Sequence, residues 1–129
     1  MLNRFATKDY MQYKELVPFE TRQVESMKMK AKYPTRLPVI VYKAVISTIE
    51  NIDKHKYLVP EDLTVGQFMY VIRKRIKLKQ EEAIFLFINN RMPPVSCTIR
   101  DIYDNNRDPD GFLYIEYSGE NCFGDYTLA

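Results

Sequence analysis

Thr64-Val65-Gly66-Gln67 is the most restrictive stretch of this 129-residue chain. A threonine followed three residues later by glutamine is a capping box, in which each side chain accepts from the other's backbone N–H. Val65, Phe68, Met69, Ile72 and Ile76 then recur at helical spacing. Arg73, Lys74 and Lys77 fall mainly on the opposite, wet side. A helix with such a stripe packs on a sheet, and strand-like runs flank it on both sides. Leu37 to Lys43, rich in Val and Ile, reads as a buried strand. Lys56 to Val59 reads as a short strand ended by Pro60, which suits an edge position. Ala83 to Ile88 reads as a second buried strand, and Asn89-Asn90 starts a turn. Ser96 or Thr98 is placed to cap a short helix bearing Ile99, Ile102 and Tyr103. A polar loop from Asn105 to Gly111 leads into the last strand, Phe112 to Tyr117.

Two further helices are expected ahead of the sheet. One covers Gln12 to Val17. The other runs from Phe19 to Lys32, with Pro18 in its first turn, where a missing N–H does no harm, and Pro34 as its stop. Val24, Met27 and Ala31 form its apolar stripe. The length suits one domain. Without the first two helices, the order is that of a β-grasp fold, the ubiquitin scaffold. The fold class is therefore α+β: a four-stranded mixed sheet on a central helix, with two extra N-terminal helices.

Composition excludes several functions. Met1 to Gln12 has no apolar run of the signal-peptide kind. The longest apolar stretch, Ala83 to Ile88, is too short to cross a bilayer. Any membrane role must come from an attached lipid or a partner. Cys97, Cys122 and His55 are the only Cys/His residues and are widely scattered, so no metal site is expected and free thiols are the default. His55 lies in a charged loop and reads as a solvated surface histidine. No phosphate loop or nucleophile with an evident base is present, which argues against an enzyme and against a cofactor. Arg73 to Lys79 is basic but lacks the aromatic partners of an RNA-binding motif, so no nucleic-acid partner is expected. Net charge is +2, split as +8 over residues 1–79 and −6 over residues 80–129. The basic part favours acidic partners or an anionic membrane surface.

After the last strand, Ser118 to Gly124 forms a polar stalk ending in Phe123-Gly124, followed by Asp125 to Ala129. Glycine suits a carboxyl end that must lie flat in a narrow enzyme cleft, because it has no Cβ. The layout suggests a glycine carboxyl hidden until a protease removes the last five residues. The expected organisation is an N-terminal extension at 1–10, a ubiquitin-like domain with its N-terminal helices at 11–117, a flexible stalk at 118–124 and a removable propeptide at 125–129.

Specific motifs follow one another in order. They are Pro18-Phe19-Glu20, Lys32-Tyr33-Pro34, Leu37-Pro38-Val39-Ile40-Val41, Lys56-Tyr57-Leu58-Val59-Pro60, Asp62-Leu63-Thr64-Val65-Gly66-Gln67-Phe68 and Ile72-Arg73-Lys74-Arg75-Ile76. Asn89-Asn90, Pro93-Pro94 and Asp110-Gly111-Phe112-Leu113-Tyr114 complete the series. From about residue 11 to Gly124 the chain resembles the ubiquitin-like autophagy modifier family, which includes the GABA-receptor-associated proteins and the microtubule-associated light chains. The resemblance implies cleavage between Gly124 and Asp125 by a cysteine protease. It implies passage of the Gly124 carboxyl through activating and conjugating enzymes to the amine of phosphatidylethanolamine. The product would be a lipid-anchored tag on autophagosomal membrane, drawn from a cytoplasmic pool. A diacyl lipid meets the requirement for two acyl chains in stable anchoring.

The resemblance also implies a groove for cargo receptors that carry an acidic aromatic-x-x-aliphatic motif, added as a strand to the edge at Lys56 to Val59. Its aromatic pocket would be lined by Glu25, Met29, Pro38, Ile40, Lys56, Leu58 and Phe112. Its aliphatic pocket would be lined by Tyr57, Val59, Pro60, Leu63, Phe68, Val71 and Ile72. Arg36, Lys54 and Arg75 would attract flanking acidic residues. Ile40, Leu63, Phe68 and Ile72 also fit the core of any β-grasp domain. Tyr42 and Cys122 depart from the family pattern, Tyr42 standing where a polar contact point is common. An alternative is an adaptor that uses the groove without lipidation, linking membrane cargo to the cytoskeleton.

Overall fold

The computed structural model describes residues 13–120. A helical turn at 13–16 precedes helix α1 (Phe19–Lys32). Strands β1 (Arg36–Lys43) and β2 (Lys56–Pro60) follow, then helix α2 (Val65–Arg75), strand β3 (Phe85–Phe87), helix α3 (Ile99–Asn106) and strand β4 (Leu113–Ser118). The sheet order is β2-β1-β4-β3. β1 runs parallel to β4, and the other neighbours are antiparallel. This is the mixed sheet of a β-grasp fold, with β2 on an edge.

The capping box forms. Thr64 Oγ1 accepts from the Gln67 N–H at 3.1 Å, and Gln67 Oε1 accepts from the Thr64 N–H at 2.9 Å. Val65, Phe68, Ile72 and Ile76 of the helical stripe are buried with Leu37, Val39, Val41, Val59, Leu113 and Ile115 in one core. Each such side chain contributes roughly 1.5–3 kcal/mol of transfer free energy, which offsets the entropy of ordering the helix. Thr98, rather than Ser96, caps α3, accepting from the Asp101 N–H at 3.2 Å. Asn89 and Asn90 take φ of 51° and 69°, the left-handed pair that a two-residue hairpin turn requires and asparagine tolerates. That turn and a single neighbouring strand restrict β3 to Phe85–Phe87, although burial extends from Ile84 to Ile88.

Helix α1 docks differently from the expected stripe. Val24 and Met27 are 49% and 63% exposed, and Ala31 is exposed too. The buried residues are Arg22 and Ser26. Their partner is Asp110, which is fully buried in the loop before β4. Arg22 Nη1 donates to Asp110 Oδ2 at 2.6 Å, and Ser26 Oγ donates to the Asp110 carbonyl at 2.6 Å. Tyr114 Oη donates to Oδ2 and the Phe112 N–H to Oδ1. Gly111, at φ +92°, lets this loop approach α1, since a Cβ there would run into Ser26 Oγ. Pro18 is the N-cap, with ψ of 153°, and lies just before the first turn.

The helical turn is held from both sides. Tyr13 Oη donates to Glu25 Oε1 at 2.7 Å, and Lys14 Nζ pairs with Asp108 Oδ1 at 2.7 Å. Tyr13 also meets the Phe112 ring edge-on at 5.7 Å. At the other end, Ser118, assigned above to a flexible stalk, is the buried last residue of β4. The next residue is tied back, with the Gly119 N–H donating to Ser47 Oγ at 3.0 Å. The expected extension at 1–10, Cys122, the lipidation site Gly124 with Phe123 and Asp125, and the propeptide lie outside the described residues.

Candidate functional site

Among the described residues, β2 has one sheet neighbour. Its register sets Lys56 opposite Ile40, Leu58 opposite Pro38 and Pro60 opposite Arg36, all on the face covered by α1. Tyr57 and Val59 lie opposite Val39 and Leu37 on the face covered by α2. The Val41 N–H donates to the His55 carbonyl at 2.8 Å. By antiparallel alternation, the backbone groups of Lys56 and Leu58 then point to the open edge. The Leu58 carbonyl accepts from Arg36 Nη1 at 3.1 Å instead of from a strand.

This parity gives the aromatic-x-x-aliphatic spacing a physical meaning. Side chains three apart on an extended peptide leave on opposite faces. Of the β2 residues expected in the aromatic pocket, Lys56 and Leu58 lie on the α1 face; of those expected in the aliphatic pocket, Tyr57 and Val59 lie on the α2 face, whereas Pro60 falls on the α1 face. A cleft of about 580 Å³ runs along β2, lined by Met29, Lys54, Lys56, Tyr57, Leu58, Val71 and Arg75. All seven are positions expected to bind peptide. Of the rest, Ile40, Val59, Phe68, Ile72 and Phe112 are at most 2% exposed and form the floor and core beneath. Pro38 is buried with them, and Leu63 and Pro60 are half-buried.

On the α1 side, Lys56 Nζ contacts Glu25 Oε2 at 2.6 Å and stands 4.8 Å over the Tyr13 ring. Burial alone would raise the Glu25 carboxyl, but hydrogen bonds from Lys56 and Tyr13 prevail and hold it below the usual carboxylate range. Tyr13 is driven upward by burial and by Glu25. On the α2 side, Tyr57 meets Phe68 edge-on at 5.8 Å. Burial pushes the Tyr57 phenol up to about 12, and its hydroxyl has no hydrogen-bond partner among the described residues. Arg75 forks onto Asp53 at 3.2–3.3 Å, and Lys54 is exposed beside it. Cations thus line one wall of an apolar cleft with an open strand edge, an arrangement suited to an extended acidic peptide.

Sequence reasoning missed a neighbouring hollow. Tyr13, Leu16, Val17, Ile40, Tyr42, His55 and Lys56 enclose about 290 Å³ on the α1 face. His55 is half-buried, its Nδ1–H donating to the Val41 carbonyl at 2.8 Å, rather than fully solvated as expected. The shared parity of Ile40 and Tyr42 was the available signal.

The family model described as "Autophagy protein Atg8 ubiquitin like" matches residues 21–124. Autophagy-related protein 8c of Arabidopsis thaliana is 61% identical over 107 residues, covering 83% of this chain and 90% of that protein. Autophagy-related protein 8 of Neurospora crassa is 55% identical, covering 91% and 97%. Among solved structures, Trypanosoma brucei ATG8 superimposes with a TM-score of 0.80 at 43% identity, covering 92% of this chain and 97% of that one. Plasmodium falciparum Atg8, in complex with a Plasmodium falciparum Atg3 peptide, gives 0.77 at 38% identity, covering 84% and 95%.

Proposed function

The chain belongs to the Atg8 family of ubiquitin-like autophagy proteins, and on that premise we propose that it is a modifier on which other enzymes act. A cysteine protease removes Asp125 to Ala129. Activating and conjugating enzymes then carry the Gly124 carboxyl to phosphatidylethanolamine. The lipid-anchored product works on autophagosomal membrane. It gathers cargo receptors through acidic aromatic-x-x-aliphatic peptides that extend the sheet at β2.

The observation that carries the binding half is the cleft beside the open edge of β2, whose seven lining residues all lie in the motif-derived site. The relative in complex with an Atg3 peptide supports recognition of peptides from the conjugating machinery. For the conjugation half, support comes from the family match, which ends on Gly124 and leaves 125–129 outside it. Weak single contacts suit such a surface. Two anchor side chains offer roughly 3–6 kcal/mol, while association removes at least about 4 kcal/mol. Charge contacts and many copies on one membrane must supply the rest.

Intact-mass analysis of the chain in a lysate competent for lipidation tests the conjugation half. Loss of the last five residues, followed by a phosphatidylethanolamine adduct, is expected. Gly124→Ala should abolish the adduct. Persistence of the full-length mass under these conditions would instead favour an adaptor that is never lipidated.

A further inference from the structure

We propose that the loop between β1 and β2 touches the bilayer to which Gly124 is anchored, with Val45 and Ile46 entering the headgroup region. The inference rests on the conjugation reading above and deepens it by naming a second point of membrane contact. Ile46 is 42% exposed, and Val45 and Ile49 are half-buried, so the loop carries apolar surface that the domain leaves uncovered. None of the positions expected to bind peptide lies between Lys43 and Asp53.

The loop is fixed to the start of the tail. The Ala44 N–H donates to the Tyr117 carbonyl at 2.8 Å, and Lys43 Nζ donates to the Ser47 carbonyl at 2.7 Å. Ser47 is buried, and its Oγ accepts from the Ile49 N–H at 3.2 Å and from the Gly119 N–H at 3.0 Å. Tyr117 Oη donates to the Glu50 carbonyl and accepts from the Ile52 N–H, both at 2.7 Å. Gly119 passes so close that a Cβ there would stand 3.3 Å from Ile49 Cβ. Loop and tail therefore leave the same end of the domain as one unit.

Reach then decides the occupant. Gly124 is four residues beyond Glu120, and four residues span at most about 14 Å. A bilayer joined to Gly124 therefore cannot stand further than that from the end of the domain that carries Ile46. The anchor supplies the local concentration that one small apolar tip could not reach alone. The charges around the loop do not call for an anionic surface. Lys43 and Lys54 are matched in number by Glu50 and Glu120, and Asp53 is paired with Arg75. A zwitterionic bilayer of phosphatidylcholine and phosphatidylethanolamine is thus the fitting occupant, held by apolar contact.

The chain contains no tryptophan, so Ile46→Trp supplies a single fluorophore at the loop tip. Val95→Trp supplies one at the other end of α2, where Val95 is exposed beside Gly66. Each full-length variant is incubated with purified processing, activating and conjugating enzymes and with vesicles of phosphatidylcholine and phosphatidylethanolamine, and intact mass reports the adduct. On floated vesicles, the Ile46→Trp emission should move to shorter wavelength. It should also be quenched by phosphatidylcholine brominated on the upper acyl chain, because such a contact lies about 5–10 Å into the headgroup boundary. The Val95→Trp emission should keep its aqueous maximum. With Ile46 in place, amide exchange over residues 44–49 should slow about fivefold on conjugation, the ratio expected for covering the open part of one isoleucine, and Ile46→Asp should abolish the slowing. Adduct formation without quenching of Ile46→Trp would overturn the membrane contact and leave the conjugation reading standing. Equal quenching of both reporters would refute the contact as well. Failure of the unsubstituted chain to form the adduct would overturn both. Concentration-dependent self-association in sedimentation, abolished by Ile46→Asp, would assign the tip to a second copy of the chain and also refute the proposal.

Discussion

Arg22→Ala removes one member of the buried pair that holds α1 to the domain. Arg22 and Asp110 side chains are 10% and 0% exposed and 2.6 Å apart. Breaking a buried pair by deleting one partner costs about 3–5 kcal/mol, because the survivor stays charged in a poor solvent. Asp110 keeps the Phe112 N–H and the Tyr114 hydroxyl, and such hydrogen bonds to a charge are worth about 1.5–3 kcal/mol each. The expected loss is therefore near the lower bound, about 3 kcal/mol. With a urea slope of about 2 kcal/mol/M, the midpoint should fall by about 1.5 M. A second readout follows from the exposure of Val24 and Met27. Because Val24 and Met27 face water, the helix can leave the sheet while the β-grasp core stays folded. Glu25 and Met29 would leave with it, and peptide affinity should fall even at urea concentrations where circular dichroism is unchanged. Urea unfolding monitored by circular dichroism, alongside calorimetry, makes both measurements. A stability change under 1 kcal/mol together with unchanged peptide affinity would refute the claim that this polar contact holds the helix.

Other perturbations have equally definite outcomes. Gly111→Ala combines a left-handed φ of +92° with a collision against Ser26 Oγ and should cost at least about 2 kcal/mol in urea unfolding; adding Ser26→Ala should recover only the steric part. Lys56→Glu with Arg36→Glu should weaken acidic peptides at least about tenfold by calorimetry, since both cations border the open edge. Acid should release the helical turn at 13–16, because Glu25 and Asp108, which hold it, both titrate below their ordinary values when folded: burial opposes this, but hydrogen bonds from Tyr13 and Lys56 and from Lys14 prevail. Their contribution is complete above the unfolded carboxylate pKa of about 4 and is lost as pH falls through the lower folded values. Chemical shifts of the Tyr13 ring followed from pH 6 to pH 2 should show the transition only at the acidic end, and a transition above pH 5 would contradict the assignment.

Local chemistry and period were enough to reveal the scaffold. The capping box at Thr64, the stripe from Val65 to Ile76, the Val/Ile-rich run of β1 and the Asn89-Asn90 turn each follow from contacts within a few residues. Pro60 likewise marked β2 as an edge, because proline cannot donate to a ladder. What the tertiary structure decided depends on partners distant in the chain. The order of apolar residues in α1 pointed to Val24 and Met27, yet Arg22 and Ser26 are buried, since Asp110 lies 88 and 84 residues away. Tyr42 and His55 came together with Leu16 and Val17 only once β1 and β2 paired. The division of the motif-derived β2 residues between two sheet faces also required that register. A periodic pattern states which side of an element avoids water; it cannot state which distant charge will make a polar side the buried one.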